Sequence, residues 1–366
     1  MIKQEIITHY KEFLLLKQEW NDLLLRSAFI HPQLTWEWFD AALRHRHIHD
    51  NLLVILIRKH SQLIAAAPLM IHREPIGFKR KISTRRLVWI RYIADVVDFI
   101  VDKVFAEAAV SALWKTIAEC PAWESLRLET FSTRSPLFDF HKRFSCHVLP
   151  KPHWYAAFGS PFINITGSFE SYYQCRRKSK AISDIERRMR RLDEQRGTVR
   201  LCISDVWSDA DYEKMRALDF KRKERSGHVT LVARSDRAGW LKDIRETYNA
   251  TRGWLVLLMY DSICDAMPIA YCVCFHHVNG IYFWTTSYDP DYGRYSVGKA
   301  ILKYVLAEAW KRKAKLFDFM AGNEPYKLQW EPEIATLYTL SSHRKRIKEY
   351  AEKSWSLLRT RIKGGA

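Results

Sequence analysis

The sequence predicts an α+β protein of two domains, and three observations predict it. An order of helix, helix, strands, helix, strand occurs twice along the chain. The 366 residues exceed what one ordinary core of about 100–200 residues serves. Finally, 48% hydrophobic residues, with 14 Trp, 17 Tyr and 18 Phe, fill two cores and exclude a disordered basic tail protein. Gly 13 and Pro 12 are too few for a collagenous or linker-rich chain.

Apolar periodicity and turn residues set the elements in order. The first half opens with helices over 11–26 and 35–45, the second beginning at Thr35 as a cap. Strands follow over 52–59 and 62–70, then a long region to Val101. A helix over 104–119, a strand over 125–130 and a short helix near 136–144 complete this half. The boundary is expected near Gly159–Pro161, after the aromatic-rich stretch that begins at Lys151. The second half starts with one basic helix over 169–194 and a strand over 198–203. Helices over 209–223 and 237–251 precede strands over 254–260, 268–277 and 281–286. A helix over 297–313, strands over 316–320 and 335–341, and a terminal basic helix end the chain. The expected domains are therefore 1–159 and 160–342, with the basic helix over 343–366.

The charge is uneven. Lys+Arg 59 against Asp+Glu 41 leaves a net +18. Residues 176–200 carry ten basic and four acidic side chains, and 343–366 carry eight and two, so these segments hold twelve of the eighteen. In the first, Ile182, Ile185, Met189 and Leu192 form an apolar stripe at helical spacing, which turns Arg187, Arg188, Arg190 and Arg191 away from it. Such a face suits solvent or a polyanion: a phosphorylated substrate, nucleic acid or anionic lipid. Tyr350, Trp355, Leu357 and Leu358 among the bases of the last helix suit an anionic membrane surface.

The first ten residues lack the order of a signal peptide, and the longest apolar runs are strand-length, so a soluble chain is expected. Seven scattered cysteines read as reduced thiols. Cys272 and Cys274 alternate in a strand and pack on one face, and no CxxC or nearby His pair completes a metal site. No metal is expected.

The most informative stretch runs from Ile281 to Ala300. An apolar strand carrying Thr286 enters a loop with Asp289, Pro290 and Gly293, and a helix starts near Ser296. A helix start presents unpaired N–H groups and suits phosphate; Gly298 lets an anion approach, and Arg294 and Lys299 add charge. The spacing of Gly293, Gly298 and Lys299 imitates a nucleotide-binding loop. However, Ala300 stands where Ser or Thr should ligate Mg²⁺, and only 66 residues follow. A serine hydrolase is excluded as well: Ser296 is not in GxSxG, and no motif nominates His276 or His277 as its base. Those two alternate in a strand, one expected to pack and one to face solvent. Downstream, a strand ends in a loop crowded with Asp318, Asn323, Glu324, Tyr326 and Lys327, which is what an active site needs.

The run YDPDYGRYSVGKAILKYVLAEAWKRKAKLFDFMAGNEPYKLQW, from Tyr288 to Trp330, resembles the C-terminal signature of CelD/BcsL-type acetyltransferases. These belong to the GNAT superfamily and are similar to FemAB peptidoglycan aminoacyltransferases. Segments 31–45, 94–102 and 175–197 share the resemblance, which thus covers most of the chain. It implies two tandem GNAT-like acyl-CoA N-acyltransferase domains, each a central mixed sheet flanked by helices, with the C-terminal one catalytic. It further implies acetyl-CoA or another acyl-CoA as donor, and a cofactor loop made of Thr286, Arg294, Tyr295, Ser296, Val297, Gly298, Lys299 and Ala300. The superfamily's Arg/Gln-x-x-Gly-x-Gly/Ala is matched at Gly298 and Ala300, with Tyr295 in first place and Arg294 one residue early. On this resemblance Tyr326 suits the acid, and Glu324 or Asp318 the base; Asp318 serves equally as a structural hydrogen-bond partner. Lys327, Arg187 and Arg188 would meet substrate or phosphate. The implied acceptor is a small-molecule or glycan amine, such as an amino sugar of envelope or exopolysaccharide biosynthesis. The implied place is the cytoplasm or the inner face of the membrane. Two alternatives stay open: a FemAB-like transferase using aminoacyl-tRNA, and a non-catalytic adaptor binding membrane or nucleic acid.

Overall fold

The computed structural model describes residues 2–48, 51–76, 82–227, 229–263 and 266–344. The terminal basic helix expected from 343 onward, and Cys264, lie outside the described residues except for His343 and Arg344. The chain divides into two units: Met1–Phe158 with the residues from Thr336 onward, and Gly159–Ala335.

The first unit begins with β1 (Ile2–Ile7), α1 (Tyr10–Leu14), α2 (Lys17–Arg26) and α3 (Trp36–Arg46). Then come β2 (Val54–Lys59), β3 (Gln62–Ala67), β4 (Leu69–Ile76), β5 (Ile82–Trp89) and β6 (Ile100–Val101). It continues with α4 (Ala106–Glu119), β7 (Ser125–Ser132) and α5 (Phe138–Val148), and β8 (His153–Asn164) carries the chain into the second unit. Strands β1, β2, β3 and β6 make one sheet in that order, and β4, β5 and β7 lie side by side in another. The sequence suggests one helix over 11–26, yet the helix stops at Leu14 and restarts at Lys17. Phe13, Leu16, Trp20 and Leu23 all reach the core and Leu15 is exposed, a spacing that keeps one helical phase across the break, so the apolar pattern does not reveal it.

The second unit holds α6 (Phe169–Arg177), α7 (Lys180–Arg196), β9 (Arg200–Ser204), α8 (Asp209–Ser226) and α9 (Ala238–Ala250). Next are β10 (Trp254–Tyr260), β11 (Ala270–His277), β12 (Gly280–Tyr288), α10 (Val297–Lys311), β13 (Leu316–Asp318) and α11 (Pro325–Leu328). Strand β14 (Glu333–His343) returns the chain to the first unit. The sheet order is β8-β13-β12-β11-β10-β9, antiparallel except for the parallel pair β12–β13, so the sheet is mixed and flanked by helices.

Both faces of this sheet are covered, so all seven residues of β10 are buried and its sequence reads as a continuous apolar run. Leu255, Leu257, Cys272 and Phe283 pack into one core with Ile182, Ile185, Met189 and Leu192 of α7 and Ile301 and Val305 of α10. On the other face Trp254, Phe275 and Trp284 stack with Trp240 and Tyr248 of α9.

Three expectations change here. The single helix over 169–194 is two, because the Ser179 hydroxyl accepts the Ile182 N–H and starts α7 afresh. The aromatic stretch expected only to mark a boundary also forms β8, a strand of 12 residues, and the two units divide within it, between Phe158 and Gly159. His276 and His277 are both half-buried rather than one in and one out. An Arg312 N–H group lies 3.3 Å from His276 Nδ1, and burial followed by that guanidinium lowers the imidazole's pKa.

Candidate active site

Strands β12 and β13 pair over only three residues, Gly280–Tyr282 with Leu316–Asp318. Beyond them β12 runs on through Phe283–Tyr288 with no pairing to β13. The β13 chain turns instead toward β8. The Asp318 carboxylate accepts the Met320 N–H at 2.7 Å, Phe319 N–H bonds Pro161 O, and Gly322 N–H bonds Gly159 O. Met320 has φ of 62°, which the turn requires. The exposed Asn323 amide lies over Gly159, 2.1 Å from where a Cβ would stand, and would have to turn aside for any other residue there.

At the far end of β12 the chain forms a 3-10 turn over Pro290–Tyr295 and then α10. Ser296 joins them in the left-handed region at φ 60°, and its carbonyl takes the Lys299 and Ala300 N–H groups. The Val297 and Gly298 N–H groups precede the first intrahelical donor, Lys299, and so belong to the N–H groups that a helix start leaves without an intrahelical acceptor. Lys299 is exposed beside them, with no ion-pair partner among the described residues.

Two helices grip this turn. From α7, an Arg188 N–H donates to Arg294 O at 3.3 Å, and Gln195 Oε1 accepts from Tyr295 OH at 2.5 Å. Arg196 donates to Tyr292 OH at 2.8 Å and pairs with buried Asp261 at 3.2 Å. From α8, Lys221 lies 2.7 Å from both Asp289 and Asp291, and Arg225 adds a second cation on Asp291. The acids before the helix start are thereby neutralised within the protein, and its positive end keeps its field.

Tyr288 closes one side of the helix start. The Cβ that Gly298 lacks would fall 2.5 Å from the Tyr288 ring, and the Arg222 guanidinium stacks on that ring at 4.7 Å. Gly298 thus makes room for an aromatic side chain, a different use from the anion approach that its place in the sequence suggests. Thr286 turns its hydroxyl onto Tyr271 O at 2.7 Å. Arg294 folds over Tyr295, its guanidinium 2.6 Å from the phenol oxygen, while Val297 and Ala300 are buried packing residues.

The downstream residues separate by environment. Asp318 is fully buried and takes up the turn. Lys327 is 4% exposed, and its ammonium donates to Ala321 O and Gly322 O and pairs with Glu324 at 2.8 Å, so it fastens the 321–324 loop. Glu324 is half exposed. Tyr326 packs on Phe283 at 6.2 Å, where β12 leaves β13, and its hydroxyl has no hydrogen-bond partner among the described residues. Burial, then the Glu324 carboxylate, push its pKa well above the ordinary phenol value, so the phenol stays protonated. Arg187 pairs with Asp184 on the outer face of α7, whereas Arg188 of the same helix reaches the loop.

A polar cluster that the sequence reading did not single out lies in the same unit. Asp219 of α8 is fully buried, and its Oδ2 accepts from Tyr271 OH at 2.7 Å and from Thr230 Oγ1. Ser287 stands beside it and accepts from Arg222 at 3.1 Å. Burial raises the Asp219 pKa, and the same burial with the neighbouring carboxyl raises that of Tyr271. The one trace in the sequence is a lone acid beside Met215 and Leu218 on the buried side of α8.

Residues 179–328 match the family model of the acetyltransferase (GNAT) domain. The whole chain is similar in fold to FemX, at 12% identity over 92% of this chain and 96% of that one, with a TM-score of 0.59. It is also similar to the C-terminal domain of a putative lysylphosphatidylglycerol synthetase from Agrobacterium fabrum, at 8% identity over 96% of each chain and a TM-score of 0.54. A third likeness is to L-PGS from Bacillus licheniformis, at 9% identity over 90% of this chain and 96% of that one, with a TM-score of 0.50. At these identities the likenesses are of fold. No curated protein matches the sequence. Among the described residues no helix is long and apolar enough to cross a membrane.

Two outcomes follow from the geometry. Gly298→Ala should lower stability by on the order of 1–2 kcal/mol in chemical denaturation, because the overpacking against Tyr288 outweighs the gain in helix propensity. Adding Tyr288→Ala should remove most of that coupling. Asp219→Asn should stabilise the protein relative to wild type more at pH 8 than at pH 5. A carboxyl whose folded pKa is raised loses stability as pH climbs above the ordinary range near 4. Melting temperatures that move in parallel across that range would contradict it.

Proposed function

We propose that the second unit is an acyltransferase of the GNAT type, moving an acetyl or longer acyl group from acyl-CoA to an amine. The observation that carries the reading is the parting of β12 from β13 after Tyr282, with β12 running on to Tyr288 and so to the N-terminus of α10. An extended, amide-bearing arm can pair with an unpaired strand edge, and a pyrophosphate suits the N–H groups of Val297 and Gly298 with Lys299 nearby. The residues present therefore fit coenzyme A. The match of 179–328 to the acetyltransferase domain supports the same reading.

Acyl-CoA, when bound, supplies a thioester carbonyl that an uncharged amine attacks. Tyr326 suits the role of acid: its phenol is neutral, and its proton can pass to the departing sulfur as the carbon–sulfur bond breaks. Glu324 suits the base, taking the proton that the amine nitrogen loses. It is half exposed, whereas Asp318 is buried and occupied by the Met320 N–H. Lys327 holds Glu324 in place and is a positioning residue on this reading. Backbone N–H groups of β12 beyond its pairing with β13 are the candidate donors to the carbonyl oxygen as it gains charge.

An amino sugar of envelope or exopolysaccharide biosynthesis is the acceptor class that the CelD/BcsL resemblance favours. The competing donor is an aminoacyl-tRNA, for which exposed Arg187, Arg190 and Arg191 on α7 speak.

Coenzyme A and acetyl-CoA should each raise the melting temperature at millimolar concentration, and tRNA should not. The reverse result would favour the RNA-dependent reading. With an amino sugar acceptor, Tyr326→Phe should lower kcat by about 10²-fold or more, with the melting temperature and KM for acyl-CoA little changed. Undiminished turnover in that variant would remove Tyr326 from the chemistry.

A further inference from the structure

The first unit contains a cavity of about 450 Å³ that has no part in the proposed acyl transfer. It lies on one face of the β4, β5 and β7 strands. Leu87, Leu126 and Leu128 of β5 and β7 are buried in the core, while Arg86, Arg127 and Glu129 alternate with them and line the cavity. His72 and Glu74 of β4 join them, and His72 stands directly across from Arg86. Arg46 from the end of α3 and Arg91 with Tyr92 after β5 close the rim, and Trp89 also borders the cavity.

Four guanidiniums and an imidazole therefore face one space that contains two carboxylates. Glu74 is paired with Arg86, whose side chain is only 12% exposed. Glu129 is shared between Arg91 at 2.7 Å and Arg127 at 2.8 Å, so a single carboxylate answers two cations. Arg46 meets a carbonyl, Arg91 O, and pairs with no acid among the described residues. With both carboxylates ionised the lining keeps a surplus of two positive charges. Guanidinium forks match phosphate oxygens, and Tyr92 at the rim adds an aromatic ring, whereas Trp89 is buried against Phe99 and Phe131. The volume falls within the range of about 300–1,000 Å³ typical of small-ligand sites and is far too small for a nucleic-acid chain.

We infer that this cavity binds a small phosphorylated ligand, its phosphate on Arg46 and Arg127 and a sugar-like ring against Tyr92. The site belongs to the first unit and stands whether or not the second unit transfers acyl groups. The same headgroup chemistry occurs on soluble sugar phosphates and on phospholipids, and two probes separate them.

Glucose 1-phosphate, which has no amine to be acylated, is titrated into the full chain by calorimetry at physiological ionic strength. Saturable one-to-one binding is expected, with unphosphorylated glucose giving no heat. Arg127→Gln and Arg46→Gln should each weaken it by about tenfold or more, the loss of charged hydrogen bonds. Arg143→Gln, which removes an exposed cation paired with Glu107 elsewhere on this unit, should leave it unchanged. Vesicles of phosphatidic acid are sedimented with the same variants against phosphatidylcholine vesicles. Binding to phosphatidic acid that the Arg46 and Arg127 variants lose would support the site with a lipid headgroup as its ligand. Binding of neither probe, or equal affinity in the cavity variants and in Arg143→Gln, would overturn the inference. Both cavity arginines have exposed side-chain neighbours and no buried ion pair of their own, and an unchanged melting temperature checks that each variant is folded.

Discussion

The early parting of β12 from β13 is the constraint on which the second unit's site depends. Parallel strands paired along their whole length would satisfy every backbone group and leave no edge. Here the pairing ends after Tyr282 and Asp318, and the bonds that end it are specific. Asp318 takes the first N–H of the turn, Met320 enters the left-handed region, and the next two backbone bonds go to Pro161 and Gly159 of β8. Strand β13 is thus drawn to β8 and away from β12. The same departure delivers α11, and with it sets Tyr326 against Phe283 beside the opened edge. The place of Tyr326 and the parting of the strands are products of one turn, so a change at Asp318 would disturb both.

Much of the surplus positive charge is spent inside the fold. Arg188 and Arg196 of α7 and Lys221, Arg222 and Arg225 of α8 all hold the stretch from Ser287 to Arg294. These bonds fix a loop rich in Asp and Tyr that would otherwise set negative charge beside the start of α10. Substituting these cations acts on loop geometry before it acts on any ligand. The outward arginines Arg187, Arg190 and Arg191 are a separate population, and a polyanion partner would meet those.

The order of elements was legible because each strand and helix carries its own period, and the α7 stripe from Ile182 to Leu192 is buried as its spacing implies. Helix breaks at Leu15 and Ser179 were not, since both sides of each break are apolar at helical spacing and only packing decides the phase. The helix start at Val297 was legible from glycine, serine and charge near one another. What Gly298 accommodates was not, because Tyr288 is ten residues away and meets it only when β12 and α10 are packed. The Asp219 cluster was hidden for the same reason: Tyr271 and Thr230 come to it from other elements, 52 and 11 residues away. Residue types can suggest that a carboxylate matters, but their partners are assigned by tertiary contacts.

Three carboxylates of the second unit illustrate what those partners decide. A general base must be ionised, reach the acceptor nitrogen and release its proton to water afterward. Asp219 is fully buried and enclosed by two hydroxyl donors, which suits holding β11 and α8 together and gives it no route for passing a proton to water. Asp318 is enclosed too, and its oxygen is committed to a backbone N–H that keeps β13 turned. Glu324 alone among them is half in solvent, at the N-terminal end of the short helix that carries Tyr326. Its carboxylate pairs with Lys327 at 2.8 Å and stands two residues from a phenol that burial keeps protonated. In the proposed acyl transfer these two are the base and the acid, and what separates their parts is exposure at Glu324 and burial at Tyr326.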